Sequence, residues 1–84
     1  MVAEEIKETI LAAVPDAEVY IYDPDGQHFQ ALVISPAFEK MPLVRQHQMV
    51  MKAMTEAFET SVHALGLKTF TPAKWQNEKQ NYGF

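Results

Sequence analysis

The sequence predicts an α+β domain in which a three-stranded sheet is covered by helices. Three observations support this prediction. Apolar residues recur at helical spacing near the N-terminus and again in the middle of the chain. Two short segments are rich in β-branched and aromatic residues and alternate as strands do. A Ser-Pro pair and a Thr-Pro pair mark the starts of further helices. The predicted order is α–β–β–α–α–β–α.

The first predicted helix covers residues 2–14. Two glutamates near its start suit the positive end of a helix dipole, and Pro15 follows its last residue. The apolar stripe consists of Val2, Ile6, Ile10, Ala13 and Val14.

Two strands follow, over residues 17–22 and 28–34. The turn-forming residues Asp-Pro-Asp-Gly at 23–26 lie between them. This arrangement predicts an antiparallel hairpin with its loop near residues 23–27.

A short helical turn and a long helix form the middle of the chain. Ser35 caps the turn, which runs through Phe38, and Pro42 starts the long helix, which ends near residue 59. The stripe of the long helix is Leu43, His47, Val50, Met51, Met54 and Phe58. Its apolar members are predicted to pack on the sheet with Ile6, Ile10, Val33 and Leu65.

The C-terminal part predicts a third strand over 62–70 and a last short helix that Thr71 caps and that carries Trp75. The polar segment 76–84 is expected to fray. With 84 residues and 48% apolar residues, the whole of 1–84 is expected to form one domain.

Composition excludes several classes of function. The chain has no cysteine, which excludes a disulfide scaffold, a thiol nucleophile and an iron–sulfur site held by its own thiolates. A formal charge of −4 opposes non-specific nucleic-acid binding. The N-terminus has no basic segment followed by an apolar one, and no apolar run is long enough to cross a bilayer. A cytoplasmic protein is therefore expected.

Three histidines are the main chemical groups in the chain: His28, His47 and His63. His28 lies at the start of a strand, His63 lies at the start of another, and His47 lies on the apolar stripe of the long helix. Spacing alone favours a structural role for His47 and a structural or surface role for the other two. The residues by themselves therefore predict a small α+β domain without a defined reaction.

Three blocks of sequence resemble the BolA family, and they occur in the family's order over nearly the whole chain. The long helix opens with FEKMPLVRQHQMV over 38–50, the third strand and last helix carry VHAL and TFTPAKW within 62–75, and the second strand carries GQHFQALVIS over 26–35. The Gly-x-His-Phe sequence at 26–29 is most similar to the acid-stress, IbaG-type branch of the family. Lys40 stands where the family has glycine, and glutamines flank His47 where other members have arginines.

The resemblance implies a class II KH-like fold and a non-enzymatic role. It implies an adaptor that pairs with a monothiol glutaredoxin and shares a [2Fe–2S] cluster with it, the partner supplying its active-site cysteine and a glutathione thiolate. The family's motif implies His63 as an iron ligand, and His28 is the only ligand of the family's kind in the loop before the second strand. His28 and His63 are expected on the same side of the domain. The resemblance leaves open whether the chain forms a homodimer in the absence of the cluster.

The alternative is a KH-like nucleic-acid-binding regulator of stress response and cell shape, which the resemblance also implies. Its contacts would come from Arg45, Lys52, Lys68 and Lys74, provided that they gather on one face. KH domains hold the nucleic-acid backbone with a GXXG loop, and this sequence contains none. The adaptor is therefore the leading hypothesis.

Overall fold

A computed structural model describes residues 3–22, 29–58 and 65–84, except for the side chain of Phe58. The elements follow the predicted order of an α+β fold. They are α1 (Ala3–Ala13), β1 (Glu18–Tyr22), β2 (Phe29–Ile34), a first 3₁₀ helix (Pro36–Lys40), α2 (Leu43–Phe58), β3 (Leu65–Phe70), α3 (Pro72–Glu78) and a second 3₁₀ helix (Lys79–Tyr82). The predicted turn at 23–26 and the start of the third strand at 62–64 lie outside the described residues.

The three strands form one sheet in the order β1-β2-β3. β1 pairs with β2 in antiparallel orientation, with Val19 opposite Val33, as the predicted hairpin requires. β2 pairs with β3 in parallel orientation, with Phe29 opposite Leu65. A parallel pair needs a long crossover, and α2 supplies it.

One face of the sheet packs on α1 and α2. The α1 stripe buries Ile6 and Ile10, and the α2 stripe buries Val50 and Met54 completely. These side chains form one cluster with Val14, Val19, Ala31, Val33 and Phe38. Because burial of each large aliphatic side chain contributes roughly 1.5–3 kcal/mol, this cluster is the main source of stability.

The predicted caps of the short helices are confirmed. The Ser35 hydroxyl accepts a hydrogen bond of 3.0 Å from the backbone N–H of Ala37, and Pro36 is the first residue of the first 3₁₀ helix. The Thr71 hydroxyl accepts a hydrogen bond of 3.3 Å from the N–H of Lys74 at the start of α3. In both cases the proline lacks an N–H at a position where a helix has no partner for one.

The prediction that Leu43 packs on the sheet is wrong, because its side chain is 56% exposed. Leu43 is the first residue of α2, and the core at this end of the helix contains Phe38 from the preceding 3₁₀ helix. Periodicity identifies the face of a helix that is buried, but it does not show where along the helix the sheet ends. Met51 and Leu65 pack at the margin of the core, and the side chain of Phe58 lies outside the described residues.

The opposite face of the sheet is covered by the C-terminal segment, which differs from the expected frayed tail. Residues 76–78 complete α3, and Lys79–Tyr82 form the second 3₁₀ helix. Trp75 packs on Leu32, Ile34 and Phe70, and Tyr82 lies against this cluster. Although the segment is polar overall, the rings of Tyr82 and Phe84 both pack against the ring of Trp75.

Candidate functional site

One end of the sheet brings together the starts of two neighbouring strands. β2 starts at Phe29 and β3 starts at Leu65, and these two residues are paired in parallel register. The chain enters β2 from residues 23–28 and β3 from residues 59–64. Parallel strands have their starts at the same edge, so both entering segments join the sheet at the same end.

The described residues at this end have different surroundings on the two faces of the sheet. Phe29 and Leu65 are partly buried and pack against the cluster beneath α1 and α2. The next pair is Gln30 and Gly66. A Cβ atom on Gly66 would overlap the side-chain amide of Gln30, so the absence of a side chain at Gly66 lets this amide lie over the β3 backbone.

The two predicted iron ligands, His28 and His63, lie outside the described residues. In the sequence His28 directly precedes Phe29, and His63 lies two positions before Leu65. Within 3–22, 29–58 and 65–84 no three His, Cys, Asp or Glu side chains are grouped closely enough to hold a metal ion.

A buried hydrogen-bond network lies beside His47, and sequence reasoning did not find its central residue, Gln46. The Gln46 side-chain amide donates to the carbonyl oxygens of Phe38, at 3.2 Å, and Met41, at 2.9 Å. Its oxygen accepts a hydrogen bond of 2.7 Å from the Thr69 hydroxyl. His47, the predicted structural histidine, is half-buried on the next position of α2. Gln46 lies four residues before Val50 and therefore on the buried face of the helix, and this spacing could have identified it as a buried residue.

The four bases of the predicted nucleic-acid surface do not gather on one face. Arg45 and Lys52 are exposed on α2 and line one shallow groove. Lys68 is opposite Leu32, on the face of the sheet that α3 covers, and Lys74 belongs to α3 itself. Lys68 does not share a face with Arg45 and Lys52, because the alternation of β3 turns it away from α2.

Charge is nevertheless divided along the chain. Residues 3–22 contain one lysine and five carboxylates: Glu4, Glu5, Glu8, Asp16 and Glu18. The described residues from 29 onward contain six bases (Lys40, Arg45, Lys52, Lys68, Lys74 and Lys79) and three carboxylates (Glu39, Glu56 and Glu78). The α1–β1 part of the domain is therefore acidic, and the described residues from 29 onward have an excess of positive charge.

No described helix is both long enough and apolar enough to span a membrane.

Comparison with known proteins identifies relatives over most of the chain. Residues 3–74 match the model of the family described as BolA-like protein. The acid stress protein IbaG of Escherichia coli strain K12 is 31% identical over 81 residues, which cover 95% of each chain. The DNA-binding transcriptional regulator BolA of the same strain is 29% identical over 85 residues, covering 90% of this chain and 81% of the regulator.

A solved structure of a bolA protein homologue from Coxiella burnetii has the same fold. It superimposes with a TM-score of 0.73 at 32% identity, covering 90% of this chain and 97% of the homologue. The match to the family over 3–74, together with this structural agreement, shows that the chain belongs to the BolA-like protein family.

Proposed function

We propose that this chain is a non-enzymatic adaptor that binds a monothiol glutaredoxin and contributes nitrogen ligands to a [2Fe–2S] cluster shared by the two proteins. The observation that carries the proposal is the parallel pairing of Phe29 with Leu65. His28 is bonded to Phe29, and His63 is two residues from Leu65. The attachment of both histidines to paired neighbours supports a site at this end of the sheet to which both contribute.

The chemistry of the donors fits a cluster that is shared and not held by this chain alone. A [2Fe–2S] cluster takes four protein ligands, usually thiolates, and imidazole replaces two of them in Rieske centres. This chain has no cysteine. His63 and His28 would supply two nitrogen ligands, and the partner's cysteine and a glutathione thiolate would supply the other two. The cluster is then cargo that both proteins hold together.

The described residues next to the proposed site carry no charge. A histidine ligates a metal through its neutral imidazole. The strand positions that follow the two histidines are uncharged: Phe29, Gln30, Leu65 and Gly66. These residues support a site where the cluster's own charge is the largest one present.

Anaerobic reconstitution with a monothiol glutaredoxin tests the proposal. The two apo proteins are mixed with glutathione, iron and sulfide, and the products are separated by size. We expect a heteromer that carries a cluster, with visible absorption and circular dichroism that differ from those of the glutaredoxin alone. A cluster spectrum identical to that of the glutaredoxin alone, with this chain eluting separately, would contradict the proposal.

A second candidate function is DNA or RNA binding. The excess of positive charge from residue 29 onward favours it, and one relative is named as a DNA-binding transcriptional regulator. Two facts weigh against it: the net charge of −4 and the division of the four bases between the α2 and α3 sides of the sheet. A salt titration separates the two functions, because affinity for a nucleic acid falls steeply with salt. Arg45→Gln and Lys74→Gln then show which side makes the contact.

A further inference from the structure

No described strand pairs with the outer edge of β1, and a groove runs along that edge. β1 is the terminal strand, and among the described strands it pairs with β2 only. The groove has a volume of about 670 Å³. One wall comes from α1, with Glu4 and Lys7, and the other comes from the C-terminal segment, with Tyr82 and Phe84. A smaller depression of about 250 Å³ continues it along Glu18.

The floor of this groove is the strand itself. Every residue of β1 lines the groove or its continuation. An unpaired strand edge presents backbone N–H and C=O groups to an incoming chain. The groove lies beside β1 between α1 and the C-terminal segment, a position that suits strand addition.

The wall on the α3 side of the groove is aromatic and carries a carboxylate. The Tyr20 ring lies 4.6 Å from the Phe84 ring, centroid to centroid. Its hydroxyl donates a hydrogen bond of 2.9 Å to a Glu18 carboxylate oxygen. Tyr22 and Phe84 are 44% and 53% exposed. Exposed aromatic rings beside a carboxylate attract guanidinium and ammonium groups.

The charge of the surroundings selects the occupant. The charged residues that line the groove and its continuation are Glu4, Glu18 and Lys7, and the segment 3–22 that supplies α1 and β1 has five carboxylates and one lysine. A second copy of this chain presenting its own β1 would bring two acidic surfaces together, and repulsion opposes that pairing. A basic segment is attracted instead.

We propose that the β1 groove binds an extended basic segment of a partner protein, which adds as a strand to β1 and directs alternate Arg or Lys side chains onto the Tyr20–Phe84 wall. Successive side chains of a strand point to opposite sides. The intervening side chains then face α1, where small apolar residues fit against Ala3 and Ile21. Phe29 and Leu65 do not line this groove, although its Tyr22 end pairs with Gln30, the residue after Phe29.

Titration with synthetic heptapeptides tests this proposal by NMR. The probe alternates Val and Arg and has capped termini; one control has Glu in place of Arg, and another has N-methyl groups on alternate backbone nitrogens. With the Arg peptide we expect the largest shifts at the amides of residues 18–22 and slower hydrogen exchange there. The N-methyl control keeps the charge and loses backbone donors, so it should bind about tenfold more weakly or worse.

Protein variants define the groove further. Glu18→Lys should weaken binding of the Arg peptide about tenfold, and Phe84→Ala should also weaken it, whereas Lys7→Gln should strengthen it. Lys40→Gln, at an exposed position outside the groove, is the matched control for Lys7→Gln and should leave affinity unchanged. Equal binding of the Arg and Glu peptides, or equal binding of the N-methyl peptide, would overturn the proposal. Concentration-dependent β1 shifts without peptide would also overturn it, in favour of a second copy.

Discussion

The hydroxyl of Thr69 donates a hydrogen bond of 2.7 Å to the side-chain oxygen of Gln46, and this buried contact ties β3 to the first turn of α2. The side-chain amide of the same glutamine donates hydrogen bonds to two carbonyl groups of the turn that precedes α2. One side chain therefore joins three consecutive parts of the fold. Since α2 and β3 bound the segment 59–64, the contact also fixes the elements between which that segment runs.

Replacing Gln46 by Leu should destabilise the domain by about 1–3 kcal/mol, because the Thr69 hydroxyl and two carbonyl groups lose their partner in a buried place. Urea unfolding measures the change. Gln48→Leu, at an exposed position of the same helix, is the control and should stay within about 0.5 kcal/mol of the parent. If Gln46→Leu and Thr69→Val have fully additive effects, the two side chains are not coupled as the structure indicates.

Replacing His63 by Ala should abolish or strongly weaken the cluster signal of the glutaredoxin heteromer, because water is a poor substitute for imidazole on iron. His28→Ala should weaken it less, and His28→Cys should restore it with a shifted circular dichroism spectrum. The apo heteromer should still form in each case, which size-exclusion chromatography checks. An unchanged holo spectrum for His63→Ala would contradict the proposed role of His63.

Replacing His47 by Ala separates a ligand from a structural histidine. We expect a loss of about 1 kcal/mol in unfolding free energy, since the side chain is half-buried on α2, with no change in the cluster spectrum. If His47→Ala loses the cluster while its stability is unchanged, the assignment of His47 as a structural residue is contradicted.

Removing the aromatic contacts of the C-terminal segment should destabilise the domain. Trp75→Ala should cost about 3–5 kcal/mol, because the ring is 5% exposed and its loss leaves a cavity next to Phe70. Gly83 has a φ of +86°, which allows Phe84 to turn back towards Tyr20, and Gly83→Ala should cost about 1 kcal/mol. Thermal unfolding checks both changes. Equal stability of a chain truncated after Glu78 would show that the segment contributes nothing.

The hydrogen bond from Tyr20 to Glu18, followed by burial and the nearby carboxylate charge, raises the pKa of Tyr20 above its usual value of 10.0. A raised pKa in the folded state means that the stabilisation is present below pH 10 and is lost as the pH rises through the higher value. Glu18→Gln should lower the pKa of Tyr20 towards 10.0. An NMR titration of the Tyr20 ring measures this directly, and an identical titration in the variant would contradict the assignment.

Sequence reasoning predicted local features well, because local chemistry determines them. Ser35 and Thr71 cap the helices that they were expected to cap. It did not predict the parallel partner of β2, the burial of Gln46 or the ordered tail, since each depends on contacts between distant parts of the chain. The predicted ligands followed from the family motif, and the pairing of Phe29 with Leu65 adds a physical reason to consider them together.

The pairing of β2 with β3 has a consequence for the order in which the chain folds. Leu65 follows Phe29 by 36 positions, and the two strands meet only after the whole of α2 has crossed over the sheet. Contacts between such distant positions require closure of a long loop and tend to form late in folding. An unfinished chain on the ribosome therefore lacks the strand end proposed to receive the cluster. Only completed molecules would then present the paired strand starts that the proposed cluster site requires.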